Sequence, residues 1–245
     1  MRPSPLLEIA VQDPTGARVA IGAGADRVEL CEALEVGGLT PSAGIVECVL
    51  EVAGDPRRVA PLVRPRPGGF VYDADEVAVV TADIRYLVAR GVGAVVVGCL
   101  TVDGRIDTET LARWADAAAG ADLVFHRAID AIDDPLGALD VLAGAGVVRV
   151  LTSGGAARAG EGIDTLRTMR ARVGDAVQIM AGGGVGVDDI PTLCALGVDA
   201  VHLSARRRSD DETPSGPGGG ASGYDVTDAA VVRAAAAAVR TAALS

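Results

Sequence analysis

The stretch GAGVVRV, residues 144–150, ends one predicted helix and begins the next predicted strand. Its small residues and glycines stop a helix, and the apolar residues behind them start a buried strand. The same kind of phrase introduces three other predicted strands: GAGADRV at 22–28, ARGVGAV at 89–95 and ALGVDAV at 195–201. A junction that repeats in this way predicts a chain built from repeated strand–helix units.

Eight short apolar runs recur about every 25 to 30 residues along the chain. These runs span 6–11, 27–31, 59–66, 94–100, 123–129, 147–153, 177–183 and 200–205. Helical segments lie between them; in one, Asp134 suits the N-cap and Pro135 the first helical position. Eight strand–helix units predict an α/β fold, a (β/α)8 TIM barrel forming a single domain over 1–245. A doubly wound sheet is the rival, but no GxGxxG follows the first strand.

Two further segments carry predictions about organisation. The stretch 206–225 is rich in Gly, Ser and Asp and follows the eighth strand, so we expect a mobile loop there. The Ala-rich final helix, 228–244, has small side chains that permit close approach. It fits packing on the barrel and equally a homodimer or higher homo-oligomer.

Composition excludes several classes of function. The 245 residues include 22 basic residues, all of them arginine, and the net charge is −11. Without lysine the chain forms no Schiff base and no P-loop. An acidic surface disfavours nucleic acid and anionic membranes as partners. The N-terminus lacks a signal-peptide pattern and no apolar run reaches the length of a membrane span, so we expect a cytoplasmic protein.

Polar residues collect where the predicted strands end, which is where TIM barrels place their active sites. Both histidines of the chain, His126 and His202, lie at such positions. The candidate catalytic residues are Glu8, Glu29, His126 and Asp130. The candidate ligand-binding residues are Arg64, Arg66, Arg127, Thr152, Ser153, Gly154, Gly182, Gly183, His202 and Ser204.

The chemistry of this set leaves two alternatives open. Glu8, Glu29 and His126 suit general acid–base catalysis. With His202, the same residues suit a divalent metal bound through oxygen and nitrogen. The Gly-rich turns after strands six and seven, together with the arginines, predict a small anionic ligand bearing phosphate or carboxylate.

The chain resembles the CutC family over nearly its whole length. The resemblance rests on five segments: GADRVELCEALEVGGLTPSAG (24–44), VRPRPGGFVYDADE (63–76), FHRAIDAIDDP (125–135), RVLTSGG (149–155) and IMAGGGV (179–185). It implies a cytoplasmic copper homeostasis protein with a TIM-barrel fold. Glu8, Glu29, Cys31, Arg64, Arg66, His126, Arg127 and Asp130 then form the family's strand-end signature.

The resemblance makes copper a candidate ligand, and Cys31 is the candidate ligand residue for it. Cu(I) prefers thiolate and thioether ligands, yet this chain has Ala10 where many family members carry cysteine. The residues themselves therefore favour an anionic ligand over a tight Cu(I) site. Three functions remain open: a copper-binding protein, an enzyme acting on a small phosphorylated or carboxylated substrate, and a non-catalytic binding barrel.

Overall fold

The computed structural model describes residues 4–209 and 223–243. Eight parallel strands form one sheet within these residues. They are β1 (Leu6–Val11), β2 (Arg27–Leu30), β3 (Val59–Pro61), β4 (Ala94–Val97), β5 (Asp122–Phe125), β6 (Val147–Thr152), β7 (Gln178–Gly182) and β8 (Ala200–Leu203). Each overlaps a run that the sequence predicts, although β5 begins one residue before its predicted span of 123–129 and β3 is shorter than its predicted span of 59–66.

Helices connect the strands, as the strand–helix repeat predicts. They are α1 (Pro14–Gly22), α2 (Ala43–Ala53), α3 (Ala74–Ala89), α4 (Thr108–Ala118), α5 (Pro135–Gly144), α6 (Ile163–Val173), α7 (Ile190–Ala195) and α8 (Ala229–Ala242). Their ends follow the local chemistry: Asp134 caps α5 by accepting a hydrogen bond from the Gly137 amide, with Pro135 in the first turn. At α3, Asp73 and Glu76 form a reciprocal capping box.

The sheet curls into a barrel. Its strand order is β3-β2-β1-β8-β7-β6-β5-β4, so β3 and β4 are its two edges. A parallel bridge between Leu62 and Val96 brings these edges together, and the Val63 amide donates a 2.8 Å hydrogen bond to the Val96 carbonyl. The predicted (β/α)8 TIM barrel is confirmed.

Alternating residues of each strand face two different cores. On β1, Leu7, Ile9 and Val11 belong to the large core shared by the strands and the surrounding helices. A smaller cluster fills the barrel interior, with Cys31, Ala60, Leu62, Val96, Val124, Leu151, Met180 and Ala200 among its members. This alternation settles which strand residues point inward, and it sends Glu8, Glu29 and His202 to the inner side.

The segment that follows β8 is only partly described. Its two ends pair as antiparallel strands, β9 (Arg206–Arg208) and β10 (Asp225–Thr227), so the predicted mobile loop begins and ends with paired backbone. Residues 210–222 of that prediction lie outside the described part of the chain.

Helix α8 buries Val232, Ala235, Ala236 and Val239. Its small residues thus pack within the chain, and the homo-oligomer stays a prediction. None of the helices in 4–209 and 223–243 combines the length and apolar character needed to cross a bilayer.

Candidate functional site

Strand register assembles a row of charged side chains inside the barrel. Glu8 on β1 lies level with Arg27 on β2 and with His202 on β8. Glu8 accepts a hydrogen bond from Arg27 Nε, and its Oε1 atom lies 3.0 Å from His202 Nδ1. On the other side of the imidazole, His202 Nε2 lies 3.8 Å from Glu29 Oε2. The interior therefore contains a continuous row, Arg27–Glu8–His202–Glu29.

The surroundings of Glu8 and Glu29 in this row give the two carboxyl groups very different pKa values. Burial alone raises the pKa of Glu8, but the charge of Arg27 and the contact with His202 outweigh it and hold that pKa at about 2. Burial raises the pKa of Glu29 to about 7, and only the more distant His202 opposes it. Burial lowers the pKa of His202, yet Glu29 and Glu8 together raise it above its usual value. Glu29 is thus the group of this row that exchanges a proton near neutral pH.

A cavity of about 370 Å³ opens above this row, at the carboxyl ends of the strands. That size falls in the range of small-molecule sites. Seven predicted site residues line it: Glu29, Arg64, His126, Arg127, Gly183, His202 and Ser204. Apolar side chains cover the rest of its wall, among them Leu34, Val36, Leu62, Phe70, Leu151 and Leu203.

His126 is held as a neutral hydrogen-bond donor. Its Nδ1 atom accepts a 3.1 Å hydrogen bond from the Ala128 amide, so the ring proton resides on Nε2. Burial, with the charge of Arg64, lowers the pKa of His126 to about 3, and the ring stays neutral at pH 7. The Nε2 atom is buried and has no hydrogen-bond partner. A buried N–H without a partner is costly unless a ligand supplies an acceptor.

Arg64 presents a second donor of the same kind. Its Nη atoms donate to backbone carbonyls of the loops after β2 and β3, those of Val36, Gly38 and Gly68. Its guanidinium carbon lies 5.3 Å from the centre of the Phe70 ring, and that ring lies 4.8 Å from the His126 ring. The Nε atom of Arg64 is buried and has no partner. The Arg64 and His126 side chains therefore flank one aromatic ring at one cavity, and Arg64 also interacts with the Tyr72 hydroxyl.

Arg127 closes the side of the cavity formed by the loops after β5 and β7. Its Nε donates to Asp130 and its Nη2 to the Ser153 hydroxyl, at 2.8 and 2.9 Å. Gly183 packs against the guanidinium: a Cβ at this position would lie 2.7 Å from Arg127 Cζ. Its φ of +103° is a second reason for glycine there.

Asp130, a predicted catalytic residue, instead anchors the loops after β5 and β6. Its carboxylate accepts hydrogen bonds from Arg127 Nε, the Thr152 hydroxyl, both donors of Ser153 and the Gly155 amide. A carboxylate with so many donors has no free position for a substrate proton. The structure does not place Asp130 on the cavity wall.

The residues predicted to bind ligand after β6 serve the same network. Thr152 and Ser153 are fully buried, and the Thr152 hydroxyl also accepts a 2.9 Å hydrogen bond from the Gly154 amide. The Gly154 N–H, predicted to face an anion, is thus already used. Gly182 packs against Leu151 and His202 and is a spacer below the cavity.

Arg66, a predicted ligand-binding residue, lies away from the cavity that Arg64 lines. Its guanidinium pairs with Glu76 on α3 and donates to the carbonyls of Gly69 and Val71. Strand alternation does not extend to Arg66 because β3 ends at Pro61. Pro65 and Pro67, which cannot donate to a strand ladder, flank Arg66.

The donor set does not fit a Cu(I) ion. Cys31 is fully buried beneath the cavity, its Sγ lies 3.8 Å from the Val11 carbonyl, and burial with nearby Glu29 raises the pKa of its thiol. Cys99 belongs to the other core, and its Sγ contacts the Asp107 carbonyl at 3.5 Å. Throughout 4–209 and 223–243, no three His, Cys, Asp or Glu side chains are grouped to hold a metal ion. Glu8, Glu29, His126 and His202, predicted as the ligands of a divalent metal, form no such group either.

Three contributors escaped the sequence analysis. Arg27 holds Glu8 ionised, Phe70 supports His126 and Arg64, and the backbone of Gly184 and Val185 extends the cavity wall. The signal for Arg27 was present: it lies two residues before Glu29 in a strand and so shares its face. Phe70 lies in a loop, where no periodicity indicates the direction of a side chain.

Comparison with known proteins agrees with this architecture. The CutC family model matches residues 5–207. A CutC family protein from Sinorhizobium medicae is 42% identical over 201 residues, which cover 81% of this chain and 80% of that protein. One from Salmonella enteritidis PT4 is 43% identical over 200 residues, covering 82% of this chain and 79% of the other.

A solved structure from Streptococcus agalactiae, named as a candidate copper homeostasis protein CutC, is similar in fold and sequence. It superimposes with a TM-score of 0.76 at 32% identity, covering 82% of this chain and 98% of that one. The family match spans every barrel strand, and the relatives share about two residues in five with this chain. The chain belongs to the CutC family.

Proposed function

We propose that this protein acts in copper homeostasis as a cytoplasmic binding protein for a small oxyanionic molecule, and that it does not carry Cu(I) itself. Membership of the CutC family supports the link to copper homeostasis. Four free cysteines, of which Cys48 is exposed, are consistent with a reducing compartment.

One observation carries the proposed ligand class. Arg64 Nε and His126 Nε2 are buried N–H donors without partners, and both residues line the same cavity. Satisfying them requires acceptor atoms, and the neighbouring guanidiniums of Arg64 and Arg127 favour acceptors that are negatively charged. The apolar wall formed by Leu34, Leu62 and other residues favours a ligand whose remaining part is apolar.

The state of His126 supports an anion over a metal ion. A metal bound at Nε2 needs that nitrogen free of its proton. The proton would then move to Nδ1, where it would face the donating Ala128 amide and break the 3.1 Å hydrogen bond. The His126 ring as folded thus keeps its proton on Nε2 and offers no lone pair there to a metal ion.

The alternative of a metabolic enzyme is supported less well. Of the four predicted catalytic groups, Asp130 is saturated with hydrogen bonds and Glu8 is held ionised against Arg27. Glu29 retains the proton affinity of an acid–base group, with a pKa of about 7. We treat it as the group that adjusts the charge of the cavity to that of the ligand.

Amphipathic anions test this function directly. We expect phenyl phosphate to raise the thermal unfolding midpoint of the protein, whereas phenol, which lacks the anionic group, leaves it unchanged. His126→Asn should abolish the effect, because the Asn oxygen retains the cap on the Ala128 amide while the Nε2 donor is lost. Arg66→Gln is the matched control, since Arg66 lies near Arg64 in the chain but outside the cavity.

Copper provides the opposing measurement. In competition with a Cu(I)-chelating dye, we expect the protein to capture no stoichiometric Cu(I). One Cu(I) per chain, lost in Cys31→Ser, would overturn the proposal, as would the absence of any response to phenyl phosphate.

A further inference from the structure

A second cavity opens at the opposite mouth of the barrel, where the strands begin. Its volume is about 460 Å³. Its charged lining consists of Arg27 at the start of β2, Arg149 near the start of β6, Arg57 on the rim and Asp122 at the start of β5. Three guanidiniums and one carboxylate thus line a single concavity in a chain whose net charge is −11. Surface charge in general does not explain this local excess of positive charge.

Arg149 is the central group of this cavity. The residue is only 6% exposed. Its Nε donates a 2.9 Å hydrogen bond to Gln178 Oε1, and this is the one hydrogen bond that its guanidinium makes with described residues. No carboxylate in the described part of the chain forms an ion pair with it. Burial and the nearby Arg27 lower its pKa to about 10, so it remains charged at neutral pH. The charges of Glu8, Asp122 and Asp199 act in the opposite direction, but none of them pairs with it directly. A buried cation without a close ion pair is disfavoured.

Arg27 contributes a second buried guanidinium, 7% exposed. Its Nε is committed to Glu8, and its Nη2 lies 3.7 Å from Met180 Sδ, a weak acceptor. Arg27 and Arg149 line the same cavity, and the positive charge of Arg27 is one cause of the lowered pKa of Arg149. Arg57 on the rim is largely exposed and is paired with Asp55.

The amino-terminal face of a TIM barrel ordinarily serves stability. Two buried and mutually repelling guanidiniums do the opposite, since apolar side chains of similar size would pack there without the cost of burying charge. The arrangement is explained if an anion completes it. Guanidinium N–H groups match phosphate oxygens in pairs, and these donors stand at a cavity of adequate size.

We propose that this amino-terminal mouth is a binding site for a small phosphate-bearing anion, held by Arg149 and Arg27 and separate from the cavity at the carboxyl ends. Asp122 limits the negative charge that the site accepts, which favours a monoester or inorganic phosphate over a polyphosphate. The site does not depend on the function proposed for the opposite mouth, because it shares no lining residue with that cavity.

Inorganic phosphate tests the site, with calorimetric titration of the full chain. We expect wild type to bind phosphate, and Arg149→Met to weaken binding about tenfold or more, as loss of a charge-assisted pair predicts. His126→Asn separates the two mouths: in that variant phosphate should still bind, and adding Arg149→Met should weaken this remaining binding. No phosphate binding in His126→Asn would assign the phosphate to the other cavity and overturn the proposal.

Stability without phosphate gives an independent readout. Removing a buried charge that has no close ion pair should make Arg149→Met at least as stable as wild type in phosphate-free buffer, with the order reversed at saturating phosphate. Arg149→Lys, which keeps the charge and loses the paired donors, covers the case in which the methionine variant fails to fold. Phosphate binding equal to that of wild type in both variants, or none in wild type, would overturn the proposal.

Discussion

His126 Nδ1 accepts a hydrogen bond from the backbone amide of Ala128, 3.1 Å away. This one contact fixes the tautomer of a buried ring and determines what the ring offers to the cavity. It also explains why a strand ending in a cluster of ionisable residues is compatible with a buried core, since the histidine remains uncharged.

The tautomer is directly measurable, because the chain has only two histidines. In 15N-detected spectra of imidazole-labelled protein, we expect His126 to carry its proton on Nε2 and to remain neutral down to pH values close to its pKa of about 3. His126→Asn identifies its signals by their loss. Titration of this ring between pH 5 and 8 would contradict the buried, capped state.

Glu29 should make the protein less stable as pH rises. Its pKa is about 7 in the folded protein and near 4.5 in the unfolded chain, so between these values only the folded state holds the proton. Its contribution is therefore fully present below about pH 4.5 and lost by about pH 7. His202, whose pKa is also raised, adds a loss of the same sign as pH rises through its own folded value.

Glu29→Gln should flatten this dependence. At pH 8 we expect the free energy of unfolding of the variant, measured with urea, to exceed that of wild type by about 2–3 kcal/mol. Near pH 4 the two proteins should be equally stable. Glu51→Gln, on the exposed side of α2, is the control and should leave the profile unchanged. An unaltered slope in Glu29→Gln would assign the pH dependence to other groups.

Asp130 should affect stability first and ligand binding second. Five donors bond to the Asp130 carboxylate, and the amide of Asp130→Asn can accept from fewer of them. We expect the free energy of unfolding to fall by about 2–4 kcal/mol. Urea unfolding measures the loss. Asp116→Asn, on the exposed face of α4, should change stability by less than about 0.5 kcal/mol. A stable Asp130→Asn protein with altered activity alone would restore its predicted catalytic role.

Alanine substitutions at two glycines distinguish the effect of backbone strain from the effect of displacing Arg127. A Cβ at Gly183 would meet the Arg127 guanidinium, whereas a Cβ at Gly155, also at positive φ, would meet nothing within 4 Å. We expect both alanine variants to lose about 1 kcal/mol of stability. Only Gly183→Ala should also weaken phenyl phosphate binding, because Arg127 must move. Equal effects of the two substitutions on binding would mean that Arg127 takes no part.

The four cysteine thiols should differ in reactivity according to their exposure. Cys48 is exposed and Cys194 half-buried, while Cys31 and Cys99 are buried, and burial raises the pKa of both buried thiols. With a disulfide reagent, Cys48 should react at once and the two buried thiols only on unfolding. Cys48→Ala should remove the rapid phase. Rapid labelling of Cys31 in the native protein would reopen it as a copper ligand.

The sequence was sufficient for the barrel because strand–helix repeats impose their own topology. The sequence also placed Glu29, His126 and His202 at strand ends, and the three line one cavity because parallel strands end at one face. The direction of their side chains was not readable, because both faces of a barrel strand are apolar and the periodicity that marks an exposed face is missing.

Two other assignments depended on loops, where pattern gives little information. Arg66 turned outward because the chain leaves the strand before reaching it. Apart from the one from Arg127, the hydrogen bonds of Asp130 come from residues more than 20 positions away in the chain. These donors need the Asp130 carboxylate as an acceptor only because the fold brings the loops after β5 and β6 together.

The bridge between Leu62 and Val96 closes the ring of strands, and Arg64 and His126 lie on opposite sides of this seam. A ligand that contacts both residues is therefore a cross-link between the two edges of the sheet. The two edges of the sheet can then separate at this point only when such a ligand is released. The exchange rate of the Val63 amide with solvent deuterium would then report how much of the protein is occupied.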